Sequence, residues 1–269
     1  MSAERRRYLA IALLPLLAGA CQSVLGPTEI EGEWQAYTSA HFSLHVRPGT
    51  FAEQSIPTIT EWLEDQYAVS NARLALTYSG RVTGLLYPAA EDAGRTFDRS
   101  GTGYPETESF KAVCTAPLDG GLLHLLAHEA NHVILWVGLG RSGTSLMREG
   151  LPSAVVSERF HPVGPSFLYD WTTRNATRLP PLIDLADDDK WEGYPQDVAY
   201  NTSASFLAYL IETYGPDPLK RLHGATSAEF VRRFEQAYGR PLDRAEAEWK
   251  AFCAMEPTWR VRCGIDRAS

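Results

Sequence analysis

Apolar residues in the first part of the chain recur with two periods, one of two residues and one of about 3.6 residues. Alternation such as that of Phe42, Leu44 and Val46 predicts a half-buried strand. Strands are predicted over residues 41–46, 82–87 and 110–114. Helical spacing of apolar residues predicts a helix over residues 51–75, and the glycine-containing segment 89–106 is expected to be a loop.

From about residue 118 the apolar positions recur almost only at helical spacing. Helices are predicted over residues 121–137, 145–158, 202–214, 228–238 and 242–252. A stretch rich in proline and aspartate, residues 161–197, is expected to be a loop. The pattern therefore predicts an α+β fold, with a small α/β N-terminal subdomain over residues 39–117 and a mainly helical subdomain over residues 118–269.

The N-terminus has the order of features found in an export signal. Three arginines form a basic start, an apolar stretch follows over residues 8–17, and small residues precede Cys21. The apolar stretch is too short to be a permanent transmembrane helix. We therefore assign residues 1–20 to a signal peptide and residues 21–38 to a tether.

This signal resembles that of bacterial lipoproteins, in which the cysteine after the cleavage site becomes the lipidated first residue. The resemblance implies a membrane anchor at Cys21. Gln22 is not the aspartate that would favour inner-membrane retention, so we expect an outer-membrane lipoprotein facing the periplasm if the source is Gram-negative. Ala18 departs from the lipoprotein pattern and, with Ala20, also suits an ordinary signal peptidase. The alternative is a secreted or periplasmic soluble protein.

The four cysteines fit export to an oxidising compartment. Cys253 and Cys263 lie close together in the sequence and are expected to form a disulfide that clamps the C-terminal segment. If Cys21 carries no lipid, it could instead pair with Cys114, and the sequence leaves this pairing open.

Composition narrows the range of partners. The formal net charge is −8, and no cluster of lysine and arginine follows residue 7. Nucleic acid is therefore not an expected partner, because binding to phosphates needs clustered positive charge. The hydrophobic content of 44% is ordinary for a globular protein with a real core. The oligomeric state does not follow from the sequence.

The chemistry is concentrated in the segment His128-Glu129-Ala130-Asn131-His132. On a helix, residues four apart lie on one face, so the imidazoles of His128 and His132 can bind one zinc ion. Glu129 can face a water molecule that the metal activates and can act as its general base. Zinc lowers the pKa of such a water to about 7, so attack at neutral pH is attainable.

The environment of Glu129 adds weight to this interpretation. Between Leu122 and Gly140 it is the one acidic or basic residue apart from histidines, in a helix pattern that is otherwise almost wholly apolar. Burying a charge is costly unless the charge is paired or bound to a metal. The alternative is a buried, hydrogen-bonded His–Glu pair without a metal.

A catalytic zinc site needs a third protein ligand and an open position. Glu149 is the best candidate, because the glycine-rich turn 138–143 lets its helix fold back antiparallel to the first. The alternative for Glu149 is a solvated carboxylate that the helix dipole favours near a helix start. The turn matches a GxGxxG string, but it follows a helix and not a strand, so no dinucleotide cofactor is expected.

The segment 128–132 followed by Met147-Arg148-Glu149-Gly150-Leu151 resembles the gluzincin metallopeptidases, the superfamily of thermolysin and the M1 aminopeptidases. The likeness is greatest to small exported members, and it continues at the level of pattern through residues 200–215 and 234–249. The resemblance implies that the helical subdomain 118–269 is a zincin-like, metal-binding region. It also implies one zinc ion per chain and hydrolysis of a peptide bond, in a polypeptide or in a cell-wall peptide.

The resemblance also implies roles for single residues. His128, His132 and Glu149 would bind the zinc, and Glu129 would be the general base. Tyr200 would donate a hydrogen bond to the oxyanion formed during hydrolysis. The alternative for this tyrosine is simple packing at a helix start, with Tyr194 as the reserve candidate.

Three residues need a separate account. Pro152 stands where relatives have a helix-compatible alanine, so the helix either begins late, with Pro152 in its first turn, or bends. Ser153 stands where some relatives place an acid that orients a zinc-bound histidine. His124, one turn before His128, is a rival ligand, an outer partner or a histidine satisfied within the core. These departures keep open the alternative of an envelope lipoprotein that binds metal or peptide without catalysis.

Overall fold

The computed structural model describes residues 33–94, 100–159 and 164–255. The signal peptide, most of the tether, Cys21 and Cys263 lie outside the described residues, so lipidation and both disulfide pairings stay predictions. Cys114 and Cys253 are buried.

The N-terminal part is built on a mixed five-stranded sheet. Its strands are β1 (Gln35–Thr38), β2 (Phe42–Val46), β3 (Val82–Tyr87), β4 (Gly101–Tyr104) and β5 (Ser109–Val113). Their order across the sheet is β1-β2-β3-β5-β4, with the central three parallel and the two edge strands antiparallel to their neighbours. The predictions for β2, β3 and β5 are confirmed to within one residue.

Neither edge strand was predicted from the sequence. β1 lies in the segment expected to be a tether, and β4 lies in the expected loop 89–106. The residues of β1 are mostly exposed and polar, and the Gly-Thr-Gly-Tyr sequence of β4 has little intrinsic strand preference. Pairing with β2 and β5 holds them in the sheet, and such pairing is a tertiary effect that periodicity does not reveal.

One long helix and a run of further helices complete the fold. They are α1 (Phe51–Leu74), α2 (Gly120–Leu139), α3 (Ser145–Ala154), α4 (Pro165–Arg174), α5 (Leu182–Leu185), α6 (Asp188–Trp191), α7 (Gln196–Tyr214), α8 (Pro216–Leu222), α9 (Phe230–Tyr238) and α10 (Leu242–Ala254). A short 3-10 helix, Pro105–Thr107, separates β4 from β5. The fold is therefore α+β, with a small sheet followed by a mainly helical region, as predicted.

The stretch 161–197, expected to be a loop, contains helix α4 and two single-turn helices. Pro165 is the first residue of α4, a position at which the fixed φ and missing N–H of proline favour a helix. Leu168, Tyr169 and Trp171 bury one face of this helix. The prediction of a loop was wrong here, because a proline interrupts a helix only when it lies inside it and not at its first residue.

Two large apolar clusters form most of the core and meet at α2 and α3. α2 packs with α1 on the sheet, through buried residues such as Leu122, Leu126 and Ile134. α3 packs with α7 in the second cluster, where Gly150 lies against Ser203, so closely that a Cβ on Gly150 would lie 2.7 Å from that of Ser203. The predicted subdomain boundary before α2 stays a prediction. Within the described part of the chain, no helix has both the length and the hydrophobicity needed to cross a membrane.

Candidate metal centre

Helix α2 holds two imidazoles one turn apart and pointing the same way. Asp119 caps its N-terminus, because the carboxylate of this residue accepts a hydrogen bond from the backbone N–H of Leu122 at 3.0 Å. The Nε2 atoms of His128 and His132 lie 3.0 Å apart. His128 is 7% exposed and Glu129 is 6% exposed, so the apolar helix does bury this polar cluster.

Helix α3 folds back and brings a carboxylate to the same point. The connecting turn contains Gly140, with a φ of +82°, and Gly143, whose Cβ position would be occupied by the backbone carbonyl of Ala225. Thr144 caps α3 by accepting a hydrogen bond from the N–H of Met147. Glu149 then lies with its Oε2 at 3.6 Å from the Nε2 atoms of both histidines.

These three side chains have the geometry of a metal site. One ligand atom from each of His128, His132 and Glu149 lies within 4.8 Å of the other two. Two ligands at about 2.0–2.1 Å from a tetrahedral zinc ion are about 3.3 Å apart, and the observed separations of 3.0 and 3.6 Å bracket that value. Within the described residues, no other three histidine, cysteine or acidic side chains converge in this way.

The two oxygens of Glu149 have different partners. Oε2 faces both histidines and accepts a hydrogen bond from the hydroxyl of Tyr200 at 2.8 Å. Oε1 accepts a hydrogen bond from the Nε of Arg148 at 3.3 Å. This division leaves Oε2 as the atom that faces the candidate cation, while Arg148 restrains the other oxygen.

Electrostatics keep the carboxylate charged. Burial works to raise the pKa of Glu149, but its contacts with His128 and His132 outweigh burial and hold the pKa well below its usual value. Burial works to lower the pKa of His132, and the contact with Glu149 outweighs it and raises that pKa. The cluster therefore joins a buried anion with imidazole nitrogens, the donor set that zinc binds.

Strand β4 lies directly against the catalytic candidates. A Cβ on Gly101 would lie 2.5 Å from the Cγ of Glu129, and a Cβ on Gly103 would lie 2.6 Å from the Cβ of His132. The two glycines are two residues apart, so they share one face of the strand. Sequence reasoning missed this contact, although a Gly-x-Gly pair flanked by strand residues is a recognised sign of close backbone approach.

Ser153 and His124 lie behind His128 and not in the metal cluster. The Oγ of Ser153 is 2.9 Å from the Nδ1 of His128 and 3.2 Å from the Nε2 of His124. Burial, with a contribution from His128, lowers the pKa of His124 to about 3, so this ring is neutral. The geometry thus gives His124 an outer position and not that of a rival ligand.

Tyr200 and Tyr194 have different hydrogen-bond partners. The hydroxyl of Tyr200 reaches Glu149, and its ring centroid is 5.9 Å from that of His128. The hydroxyl of Tyr194 donates instead to Asp184, at 2.9 Å. Of the two candidates, Tyr200 alone contacts the metal cluster.

Pro152 lies in the last turn of α3, which begins at Ser145, so a late helix start is excluded. The Nδ2 of Asn131, inside the HExxH segment, donates to the carbonyl oxygen of Pro152 at 2.7 Å. Asn131 in turn accepts hydrogen bonds from Ser70 at 2.7 Å and from Gln66 at 3.3 Å. This buried network ties α1 and α2 to the end of α3, and nothing in the sequence pattern pointed to it.

A sheet followed by helices, with two histidines on one helix and a glutamate on the next, defines a zincin-like fold. Among solved structures, the chain is similar to the M1 zinc metallopeptidase E323A mutant from Deinococcus radiodurans, with a TM-score of 0.50 and 14% sequence identity. The match covers 84% of this chain and 53% of that one, so this chain spans about half the length of its structural relative. No family model and no curated protein matches the sequence.

Proposed function

We propose that the protein is a zinc-dependent metallopeptidase of the gluzincin type, with one zinc ion held by His128, His132 and Glu149. The observation that carries the proposal is the convergence of the three ligand atoms within 4.8 Å, at separations that suit one tetrahedral cation. The similarity in fold to an M1 zinc metallopeptidase supports it.

A bound zinc ion supplies Lewis acidity and makes a water molecule nucleophilic near neutral pH. Glu129 is the base that accepts a proton as the water oxygen attacks the peptide carbonyl carbon. The same carboxyl group then gives that proton to the leaving amine as the C–N bond breaks, so the products are a free acid and an amine. Tyr200, whose one hydroxyl proton is donated to Glu149 Oε2 in this structure, would turn that proton to the carbonyl oxygen as negative charge develops on it.

The position of β4 favours an extended peptide as substrate. β4 is the last strand of the sheet on the side of the site, and its two glycines bring the backbone against Glu129 and His132. A peptide that adds to such an edge forms main-chain hydrogen bonds whatever its sequence. The substrate class is therefore a peptide bond in a polypeptide or a cell-wall peptide.

We also propose an envelope location, with residues 1–20 as the export signal and a lipid at Cys21. The support is the order of basic, apolar and small residues before this cysteine. Mass spectrometry of the protein purified from membranes tests it, since lipidation adds the mass of acyl chains to a mature N-terminal Cys21.

The test of catalysis is the pair Glu129→Gln and Glu235→Gln, assayed for zinc content and for cleavage of a mixed peptide library. Glu129→Gln should bind zinc with the same stoichiometry and lose about a hundredfold to ten-thousandfold in kcat, because the base is gone. Glu235 is exposed on α9, and its variant should behave as the wild type. Zinc binding without cleavage by the wild type would instead favour a metal- or peptide-binding protein, and normal cleavage by Glu129→Gln would overturn the mechanism.

A further inference from the structure

A hydroxyl group sits between two histidine rings on the side of His128 that faces away from Glu149. Ser153 Oγ is 2.9 Å from the Nδ1 of His128 and 3.2 Å from the Nε2 of His124. Ser153 is 4% exposed, so the bridge is shielded from water. A serine hydroxyl has one proton and two lone pairs, so it can accept from one ring and donate to the other at the same time.

We infer that Ser153 and His124 form a neutral hydrogen-bond chain that positions His128 for a metal ion, an inference that rests on the proposed function. In this chain the Nδ1–H of His128 donates to Ser153 Oγ, and the hydroxyl proton of Ser153 points to the Nε2 of His124. This direction fixes the tautomer of His128 and leaves the lone pair on its Nε2 atom, which faces Glu149 and His132.

The backbone around Ser153 is held firmly enough for this role. Ser153 lies four residues after Glu149, so helix α3 presents both side chains on the face that packs against α2. The carbonyl oxygen of Pro152 accepts a hydrogen bond from Asn131 of α2 at 2.7 Å. Glu149 and Ser153 are thus fixed relative to the two histidines, one in front of the candidate metal position and one behind His128.

Charge gives a reason for a hydroxyl at this position. Glu129 and Glu149 already place two carboxyl groups in a buried site, each 6% exposed. A third carboxylate behind His128 would add another buried negative charge, which is costly. A serine that passes its proton on to His124 orients the ring without adding charge.

The test compares Ser153→Ala, Ser153→Asp, His124→Phe and the control Ser203→Ala. Ser203 is a second buried serine, in α7, and its hydroxyl has no hydrogen-bond partner among the described residues. The zinc dissociation constant is measured by competition with a chromophoric chelator, and the visible spectrum of the cobalt-loaded protein reports on ligand geometry. Melting temperatures of the metal-free variants check folding.

Ser153→Ala should weaken zinc binding by about ten- to a hundredfold and change the cobalt spectrum, because His128 loses its orienting partner. Ser153→Asp should restore zinc binding towards that of the wild type, since it again offers an acceptor to Nδ1. Its added buried charge should instead lower the melting temperature of the metal-free protein. His124→Phe should cause a smaller loss, and Ser203→Ala should cause none. Should Ser153→Ala not fold, His124→Phe and Ser153→Asp still test the chain.

Failures of the two proposals are distinguishable. If the wild-type protein binds no zinc, the proposed function is overturned, and the proposed hydrogen-bond chain is overturned as well. If wild type and Ser153→Ala bind zinc equally and give the same cobalt spectrum, the proposed hydrogen-bond chain is overturned and the proposed function is left intact. An unchanged dissociation constant for His124→Phe removes His124 from the chain, and failure of Ser153→Asp to restore binding contradicts the acceptor role of Ser153.

Discussion

At the scale of single residues, the site depends on a position that has no side chain as well as on the residues that supply functional groups. Gly101 leaves room for the side chain of Glu129, because a Cβ there would lie 2.5 Å from its Cγ and 2.7 Å from its Oε1. Such contacts are closer than folded proteins tolerate, so any side chain on this residue must displace either the strand or the glutamate.

Gly101→Ala should therefore lower kcat by about a hundredfold, since a shift of about 1 Å in a catalytic group can cost that much. Zinc content should stay at the wild-type level, because Glu129 is not among the proposed ligands. Steady-state kinetics and metal analysis measure the two effects. The control is Gly224→Ala, whose added Cβ would meet only the carbonyl oxygen of Arg141, at 3.8 Å. Equal kcat for both variants would contradict the tight fit of β4.

His223 carries a pH dependence that is independent of the metal. Its Nε2 lies 3.2 Å from the carbonyl oxygen of Gly140 and 3.2 Å from Ser142 Oγ, in the turn that joins α2 to α3. Its Nδ1 is buried with no hydrogen-bond partner among the described residues. Burial lowers the pKa of this histidine, against a smaller opposing effect of the hydrogen bond to Gly140.

As the pH falls below about 6.5, the unfolded chain takes up a proton at this residue before the folded protein does. The stability that the neutral ring contributes is thus present above that pH and is lost towards the lowered folded pKa. Urea unfolding of metal-free protein at pH 7.5 and 5.5 should show a smaller loss for His223→Gln than for wild type, by at most about 1.4 kcal/mol per pH unit. His45→Gln is the control, and identical losses in wild type and His223→Gln would refute the assignment.

At the scale of elements, the sequence was informative where one residue pattern decided the structure. Strand β2 and helix α1 have periodic burial, whereas β3 and α2 are buried along most of their length. The predicted bounds of all four agree closely with the structure. The His-Glu spacing on α2 and the Glu149 position on α3 could be predicted for the same reason. β4 could not, because its place in the sheet comes from pairing with β5 and not from its own residues.

The polar links between elements were also beyond prediction, and Asn131 is the clearest case. It joins Ser70 of α1 to the carbonyl of Pro152 at the end of α3, with both hydrogen bonds at 2.7 Å. Asn131 is fully buried, so its removal leaves buried polar groups without partners.

Asn131→Ala should lower the free energy of unfolding by about 2–4 kcal/mol, at about 1–3 kcal/mol for each group left unsatisfied. Urea denaturation followed by circular dichroism measures the change. Asn201→Ala, at a half-buried position of α7, serves as the matched control and should cost less than about 1 kcal/mol. A loss below that level for Asn131→Ala would mean that the network contributes little to stability.

At the scale of the whole molecule, the candidate metal centre lies where the two apolar clusters meet. His128 and His132 belong to α2, which packs on the sheet, and Glu149 belongs to α3, which packs on the helical cluster. A cation bound by all three would link the two parts of the core. Such a ligand stabilises the folded protein in proportion to the logarithm of its free concentration.

Zinc at a free concentration a thousand times its dissociation constant should add about 4 kcal/mol to the free energy of unfolding. For a chain of this size that corresponds to a rise of about 8–16 °C in melting temperature, and a chelator should reverse it. Differential scanning calorimetry of wild type, His128→Ala and His45→Ala tests this. His128→Ala should lose the response, because two ligands hold zinc far more weakly than three. His45→Ala should keep it, since His45 lies on β2 and is not one of the three converging ligands. If zinc does not raise the melting temperature of the wild type, the two halves of the core are not joined by a metal.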